Sequence, residues 1–399
     1  MRISTPEFIS LMAMLVATVA ISIDALLPAL PDITLQLTTN NPNQVQLILS
    51  TFIVGMSVGT LVVGPLSDSF GRKNIIYLGA SIYILFSVLC MLATNIETMI
   101  VARIFQGIGA AAPRVVSQAL VRDMYSGREM ARISSFIMII FAIIPAVAPL
   151  MGASLIAVFD WRSIFVVFII FALISTIWTG IRIEEPLKAE MKLPFQLAVF
   201  KAAFLEIISI GIVRTSIITL IFSYGTLFTC ILLVQQVFDQ FFRRADSFPE
   251  WFAIIAALSA SASFLNSLLV VKLGMRRLIS AALRVQVVLS ILMLSMFHTG
   301  VISGHLGFIF FVFWVFSLFF QAGLTLGNLT ALAMEPLGHI AGTAASVISA
   351  TATFGSVILA TIAGQFFDGT PLAMIVSITL LSFFGVLSAH RLRKFDRSN

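Results

Sequence analysis

Of 399 residues, 59% are hydrophobic and only 11% are charged, with a formal net charge of +6 and a mean hydropathy of +1.06. A soluble globular domain carries about a quarter of its residues as charged groups, so this composition excludes one and places the chain in lipid. Apolar runs long enough to cross a hydrocarbon layer of roughly 30 Å fall, in chain order, at 8–30, 45–66, 75–94, 97–121, 133–158 and 163–182. After a break they resume at 207–238, 250–271, 277–297, 305–333, 339–366 and 371–390. That makes twelve spans. The alternation of a membrane barrel is missing, and lipid leaves few other ways to satisfy a backbone, so the expected class is an all-α membrane protein.

The positive balance is a topology signal rather than a nucleic-acid signature. With both termini in the cytoplasm, the inner loops and tails hold Arg2, Arg72, Lys73, Arg122, Arg128, Arg132, Arg182, Lys188, Lys192 and Lys201. They also hold Lys272, Arg276, Arg277, Arg391, Arg393, Lys394 and Arg397, whereas the outer loops hold only Arg162, Arg243 and Arg244. Such an excess marks the cytoplasmic face. Cys90 and Cys230 fall inside spans, which implies neither a disulfide framework nor a thiolate metal site. The first span is longer than a signal-peptide core and no clear cleavage site follows it, so it is expected to stay.

The one long polar interruption, "IEEPLKAEMKLPFQLAVFKAAFLE" at 183–206, divides the chain into six-span halves, 1–182 and 207–399, the second ending in a short basic tail. Weak repeats support duplication. "ALVRD" at 119–123 resembles "ALAME" at 331–335, and the same offset carries Gly152 onto Gly364. "GPLSDSFGRKN" at 64–74 has a shadow in "SLLVVKLGMRR" at 267–277, where Gly274 stands for Gly71 and Val271 for Asp68. Parallel six-helix repeats are one of the large transporter architectures, with the substrate near mid-membrane between them.

The first of those stretches is a charged, turn-prone knot between two spans. Gly71 permits a tight turn, and Arg72 and Lys73 hold that turn in the cytoplasm. Asp68 ends the second span, where the helix dipole disfavours an anion. It therefore needs a partner, the plainest being a surface pair with Arg72. Deeper in the apolar runs, Asp24 is the only acid, about six residues inside the outer end of its span, and Arg103 lies at matching depth in the fourth. An ionisable group there is functional by default. Two readings of an Asp24–Arg103 pair stand: a titrating site, or a fixed pair that only sets packing. Arg114, eleven residues on, shares the face of Arg103 with Gly107 between them, and Arg214 lies near the start of the seventh span. Both cations either snorkel or line a nominally positive cavity. Gln106, Tyr224, Gln235, Asn266, Gln321 and Asn328 are further polar residues in spans, as ready to join helices as to bind a ligand. Pro145 and Pro149, one turn apart in the fifth span, each remove a backbone hydrogen bond, and Ala148, Gly152 and Ala153 allow close helix approach.

"GPLSDSFGRKN", with Gly64, Asp68, Gly71, Arg72 and Lys73, resembles the loop between helices 2 and 3 of the major facilitator superfamily. "DALLPALPDI" at 24–33, "RIFQGIGAAA" at 103–112, "PAVAPLMGA" at 145–153 and "ALAMEPLGHIAGTAAS" at 331–346 narrow the resemblance to its bicyclomycin- and chloramphenicol-resistance (Bcr/CflA) group of drug–proton antiporters. The ordered set covers nearly the whole chain. The resemblance implies a major facilitator fold of two pseudo-symmetric six-helix halves. It also implies a cytoplasmic gate, with Asp68 reaching the amino end of the eleventh helix near 338–343 and Asp123 pairing with Arg72. Asp24 and Arg103 match the family's helix 1 carboxylate and helix 4 arginine, so proton coupling is expected of them. Its helix 5 motif is softened here, since Ala148–Pro149 and Gly152–Ala153 replace a Gly-Pro pair followed by two glycines.

The function expected is export of drug-like amphiphiles in exchange for protons, without a cofactor and driven by the proton gradient. The expected setting is a multi-pass monomer in the bacterial inner membrane, with no nucleic-acid partner. The alternative on the same fold is a proton-coupled metabolite transporter, because fold does not fix function. A membrane enzyme lacks its residues. His298, His305, His339 and His390 are scattered near span ends, with neither an H-E-x-x-H pair nor a G-x-S-x-G elbow.

Overall fold

The computed structural model describes residues 3–38, 41–187, 197–392 and 395. Arg2, Lys188, Lys192, Arg393, Lys394 and Arg397, counted above among the inner cations, lie outside the described residues, as does the 188–196 stretch of the 183–206 linker. Every regular element among the described residues is helical. Eleven continuous helical stretches are long and apolar enough to cross a membrane. One of them, His305–Gln365, is two helices parted by a 3-10 turn with non-helical backbone at Leu337. The expected dozen is thus recovered.

Contacts divide the chain into two compact units, Met1–Ala198 and Val199–Asn399. The first contains α1 (Thr5–Asp24), α2 (Gln46–Phe70), α3 (Arg72–Met91), α4 (Ile96–Met124), α5 (Gly127–Val158) and α6 (Arg162–Arg182). The second opens with a helix at Leu197–Ser209 that crosses the division. It continues as α7 (Gly211–Gln236), α8 in two segments (Phe248–Ser259 and Ser261–Leu273), α9 (Met275–His298), α10 (His305–Met334), α11 (Ala341–Gln365) and α12 (Leu372–Leu392).

Both units pack alike. In the first, α1 contacts α4, α5 and α6, α4 contacts α2 and α3, and α3 contacts α6; in the second, each of these pairings recurs six helices later. Small residues set the approach in lipid, where apolar burial drives no association. A Cβ on Gly107 of α4 would lie 2.0 Å from the Phe52 carbonyl oxygen of α2, and one on Gly55 of α2 would lie 1.9 Å from that of Ile104. Outward faces are apolar, as at Ile177, Ile181, Phe264 and Val271.

Two boundaries differ from the sequence reading for local reasons. The first span was expected as one helix over 8–30, but α1 stops at Asp24, passes through a 3-10 turn at Leu27–Ala29 and resumes as a helix over Leu30–Leu37. Pro28 has no N–H to offer the Asp24 carbonyl, and Pro31 none for that of Leu27. The third span was expected from 75, with Arg72 and Lys73 in the turn. They form instead the first turn of α3, and Gly71 alone makes the corner, with φ 101° and ψ 151°. Gly274 repeats that corner between α8 and α9 at φ 76° and ψ 153°.

Candidate functional site

At the α2–α3 corner the last turn of α2 brings Ser67 and Asp68 under the Arg72 side chain. Pro65 lies within that helix, and the Gly64 carbonyl accepts the Ser67 hydroxyl at 2.8 Å. Arg72 donates Nη1 to Asp68 Oδ1 at 2.5 Å and to Ser67 Oγ at 2.7 Å, and Nε to Asp123 Oδ2 at the end of α4 at 2.8 Å. The Arg72 side chain is 5% exposed against 40% for Asp68. This is a buried cation held between two partly exposed anions rather than an isolated surface pair, and charge-assisted bonds of this kind are the strong ones. Within its own unit, Asp68 is therefore partnered by Arg72.

Glu185 completes the corner, and the sequence reading missed it. Its carboxylate accepts the backbone N–H of Arg72 at 3.0 Å and of Lys73 at 2.9 Å. It thereby caps the positive end of α3. Lys73 reaches the Gly180 carbonyl of α6 at 2.9 Å. Nearby, Arg182 of α6 grips Glu7 of α1 through both carboxylate oxygens, at 2.5 and 2.6 Å, and Trp178 donates to the same group at 3.0 Å. An acid just beyond a span, as in "IEEP", is the one signal that could have flagged Glu185.

Asp24 is the last residue of α1, buried at the break. Arg103 is wholly buried at the same level, so the depth match holds, but the ion pair does not form. Arg103 donates Nε to the Ile48 carbonyl at 2.9 Å, Nη1 to Gln106 Oε1 at 2.6 Å and Nη2 to the Ser22 carbonyl at 3.0 Å, with the Phe52 ring 4.2 Å away. The Ser22 carbonyl beside the break, the Ile48 carbonyl of α2 and an amide take the donors that a carboxylate would have taken. Among the described residues the Asp24 carboxyl has neither a hydrogen bond nor an ion pair. The polar chain continues from Gln106 to Ser87 Oγ at 2.7 Å, and Tyr83 of α3 meets Ser22 Oγ at 2.6 Å.

The α5 residues meet this break. The helix runs through Pro145 and Pro149, the latter buried with Ala148. A Cβ on Gly152 would lie 2.1 Å from the Ala25 carbonyl oxygen and 3.2 Å from Pro28 Cγ. The glycine is needed because α5 rests on the backbone beside Asp24.

The remaining cavity candidates have nearer employment. Gln106 belongs to the Arg103 chain, and Gly107 sits in the α2–α4 crossing. Arg114 is half-buried with Nη1 3.6 Å from Met56 Sδ, while Arg214 is exposed, close to the start of α7. Tyr224 stacks on Phe228 with ring centroids 5.7 Å apart. Gln321 donates to Thr325 Oγ1 at 2.8 Å and accepts from Thr226. Asn328 donates to Asn266 Oδ1 at 2.6 Å and to the Leu324 carbonyl. The Thr226–Gln321 and Asn328–Asn266 bonds join helices, and the Tyr224–Phe228, Gln321–Thr325 and Asn328–Leu324 contacts stay within one helix. The buried Gln235 Oε1 and Ser223 Oγ of α7 have no partner among the described residues.

A family model described as Major Facilitator Superfamily matches residues 12–361. The chain is 28% identical over 384 residues to an uncharacterized MFS-type transporter, YdgK, of Bacillus subtilis (strain 168), covering 94% of each. It is 30% identical over 348 residues to a bicyclomycin resistance protein homolog of Haemophilus influenzae, covering 86% of this chain and 85% of that one. Among solved structures, a D-xylose–proton symporter superposes with a TM-score of 0.76 at 15% identity over 98% of each chain, a likeness of fold. The broken first helix, the glycine-packed units and the charged α2–α3 corner are thus those of a transporter, and the chain belongs to the Major Facilitator Superfamily, alongside the bicyclomycin resistance protein homolog.

Proposed function

We propose that this protein is a proton-coupled antiporter that exports drug-like amphiphilic small molecules across a bacterial inner membrane by alternating access. The single observation that carries the coupling is Asp24. It is a buried carboxyl at a proline-broken point of an apolar helix, without a partner among the described residues. Burial favours the neutral acid and access to water favours the anion. A carboxyl in that setting loads a proton from one face and releases it when the carrier turns to the other. Similarity to the bicyclomycin resistance protein homolog supports drugs as the cargo. Asp68, Arg72 and Asp123 serve the cycle as a cytoplasmic gate, and Arg103 holds the break in place. The carrier works as a monomer with both termini in the cytoplasm and takes no cofactor.

The test is proton release from everted vesicles on addition of bicyclomycin, chloramphenicol and a small panel of lipophilic drugs. Asp24→Asn is expected to abolish release while membrane insertion is preserved. Undiminished release would reject the coupling role.

A further inference from the structure

The interrupted α1 leaves its last carbonyls without the amide partners of a continuing helix, and two side chains from other helices converge there on Ser22. Arg103 takes the Ser22 carbonyl, as described, and Tyr83 takes the hydroxyl. Ser22 Oγ donates its own proton to the Thr18 carbonyl at 2.6 Å, so the Tyr83 phenol is the donor in the 2.6 Å contact between them. Tyr83 is buried, and its backbone is pinned: a Cβ on Gly109 of α4 would lie 2.6 Å from the Tyr83 nitrogen. The phenol therefore projects from a fixed platform onto a residue two positions before Asp24. Phenylalanine would fill the same volume, so what the hydroxyl adds lies in its polar contacts, the 2.6 Å bond to Ser22 Oγ and an interaction with Ser87 of its own helix.

The geometry points to Tyr83 as a positioning residue that, through Ser22, holds the terminal turn of α1 and with it the Asp24 carboxyl. This rests on the reading of Asp24 as the proton-carrying group. The charged and titratable groups about that turn are Arg103 from α4 and Tyr83 and Cys90 from α3. From α5 it meets Gly152, and the α6 charge facing α1 is Arg182, on Glu7 at the far end of the helix. None of these but Tyr83 reaches the Ser22 hydroxyl.

The experiment uses the full chain in nanodiscs, labelled with a hydrophobic carbodiimide, with modification of Asp24 followed by mass spectrometry against pH. Tyr83→Phe is expected to move the labelling midpoint by about half a pH unit or more, and Ser22→Ala to move it equally. The double variant is expected to add nothing, as for two ends of one bond. An unmoved midpoint in Tyr83→Phe, or a loss of thermal stability without a shift, overturns the proposal. Should Tyr83→Phe fail to insert, Ser22→Ala decides, with Ser22→Thr expected to restore the midpoint. Labelling needs no substrate, so its failure is distinct from that of the antiport reading, which the Asp24→Asn vesicles test.

Discussion

A carboxyl in hydrocarbon costs several kcal/mol unless something compensates it, which is why Asp24 stood out by rarity alone. Its surroundings did not, because the Arg103 donors are met by the carbonyls of Ile48 and Ser22, and main-chain acceptors leave no mark in a sequence. The same holds for Gly107, whose neighbours on the chain suggest a cavity and whose neighbours in space are the α2 backbone. At this scale the strongest steric prediction concerns the glycines. Gly107→Val forces a side chain into the Phe52 carbonyl, an overpacking worth about 1–3 kcal/mol. It should lower the melting temperature of the purified carrier in detergent. Gly152→Val acts on the Ala25 carbonyl beside Asp24, so it should depress transport in vesicles more than it depresses yield.

Among elements, the spans themselves were legible because their length and apolarity are set by the bilayer. Less so were their interruptions. "LLPALPD" held the prolines that stop α1 at Asp24, yet an apolar run of 23 residues over 8–30 reads through them. The α2–α3 corner was legible as a turn, and the Arg72–Asp123 contact as an implication of family resemblance. Glu185 escaped because it lies 112 residues from Lys73 and serves the helix only through backbone N–H groups. Glu185→Gln removes the charge from that cap, a loss of about 0.3–1 kcal/mol. A cysteine placed at the exposed Asn74 should then react faster with a water-soluble maleimide, while Cys90 and Cys230, both buried, stay silent. Asp68→Asn should change the accessibility of cysteines on the two faces by altering the switching between states. Asp123→Asn, which also strips Arg72 of an anion, should do so at least as strongly.

For the molecule as a whole, charge and repeat argue together. The cations that mark the inner loops predict that a cytoplasmic reporter fused at residue 126 is active and one fused at residue 160 is not. The opposite result would invert the topology. The shared helix pairings of the two units make the duplication plain, where the sequence showed only scattered echoes, because packing geometry tolerates changes that erase similarity.

The matched corners at Gly71 and Gly274 carry that further. Both copies retain the fold of the bend, while Val271, largely bare to its surroundings, stands where the first copy has its acid. Ancestral symmetry has thus been kept as masonry and discarded as wiring. A saturation screen scored by survival on antibiotic should find both glycines irreplaceable, a crowd of inactivating changes around the earlier bend, and broad mutational licence beside the later one.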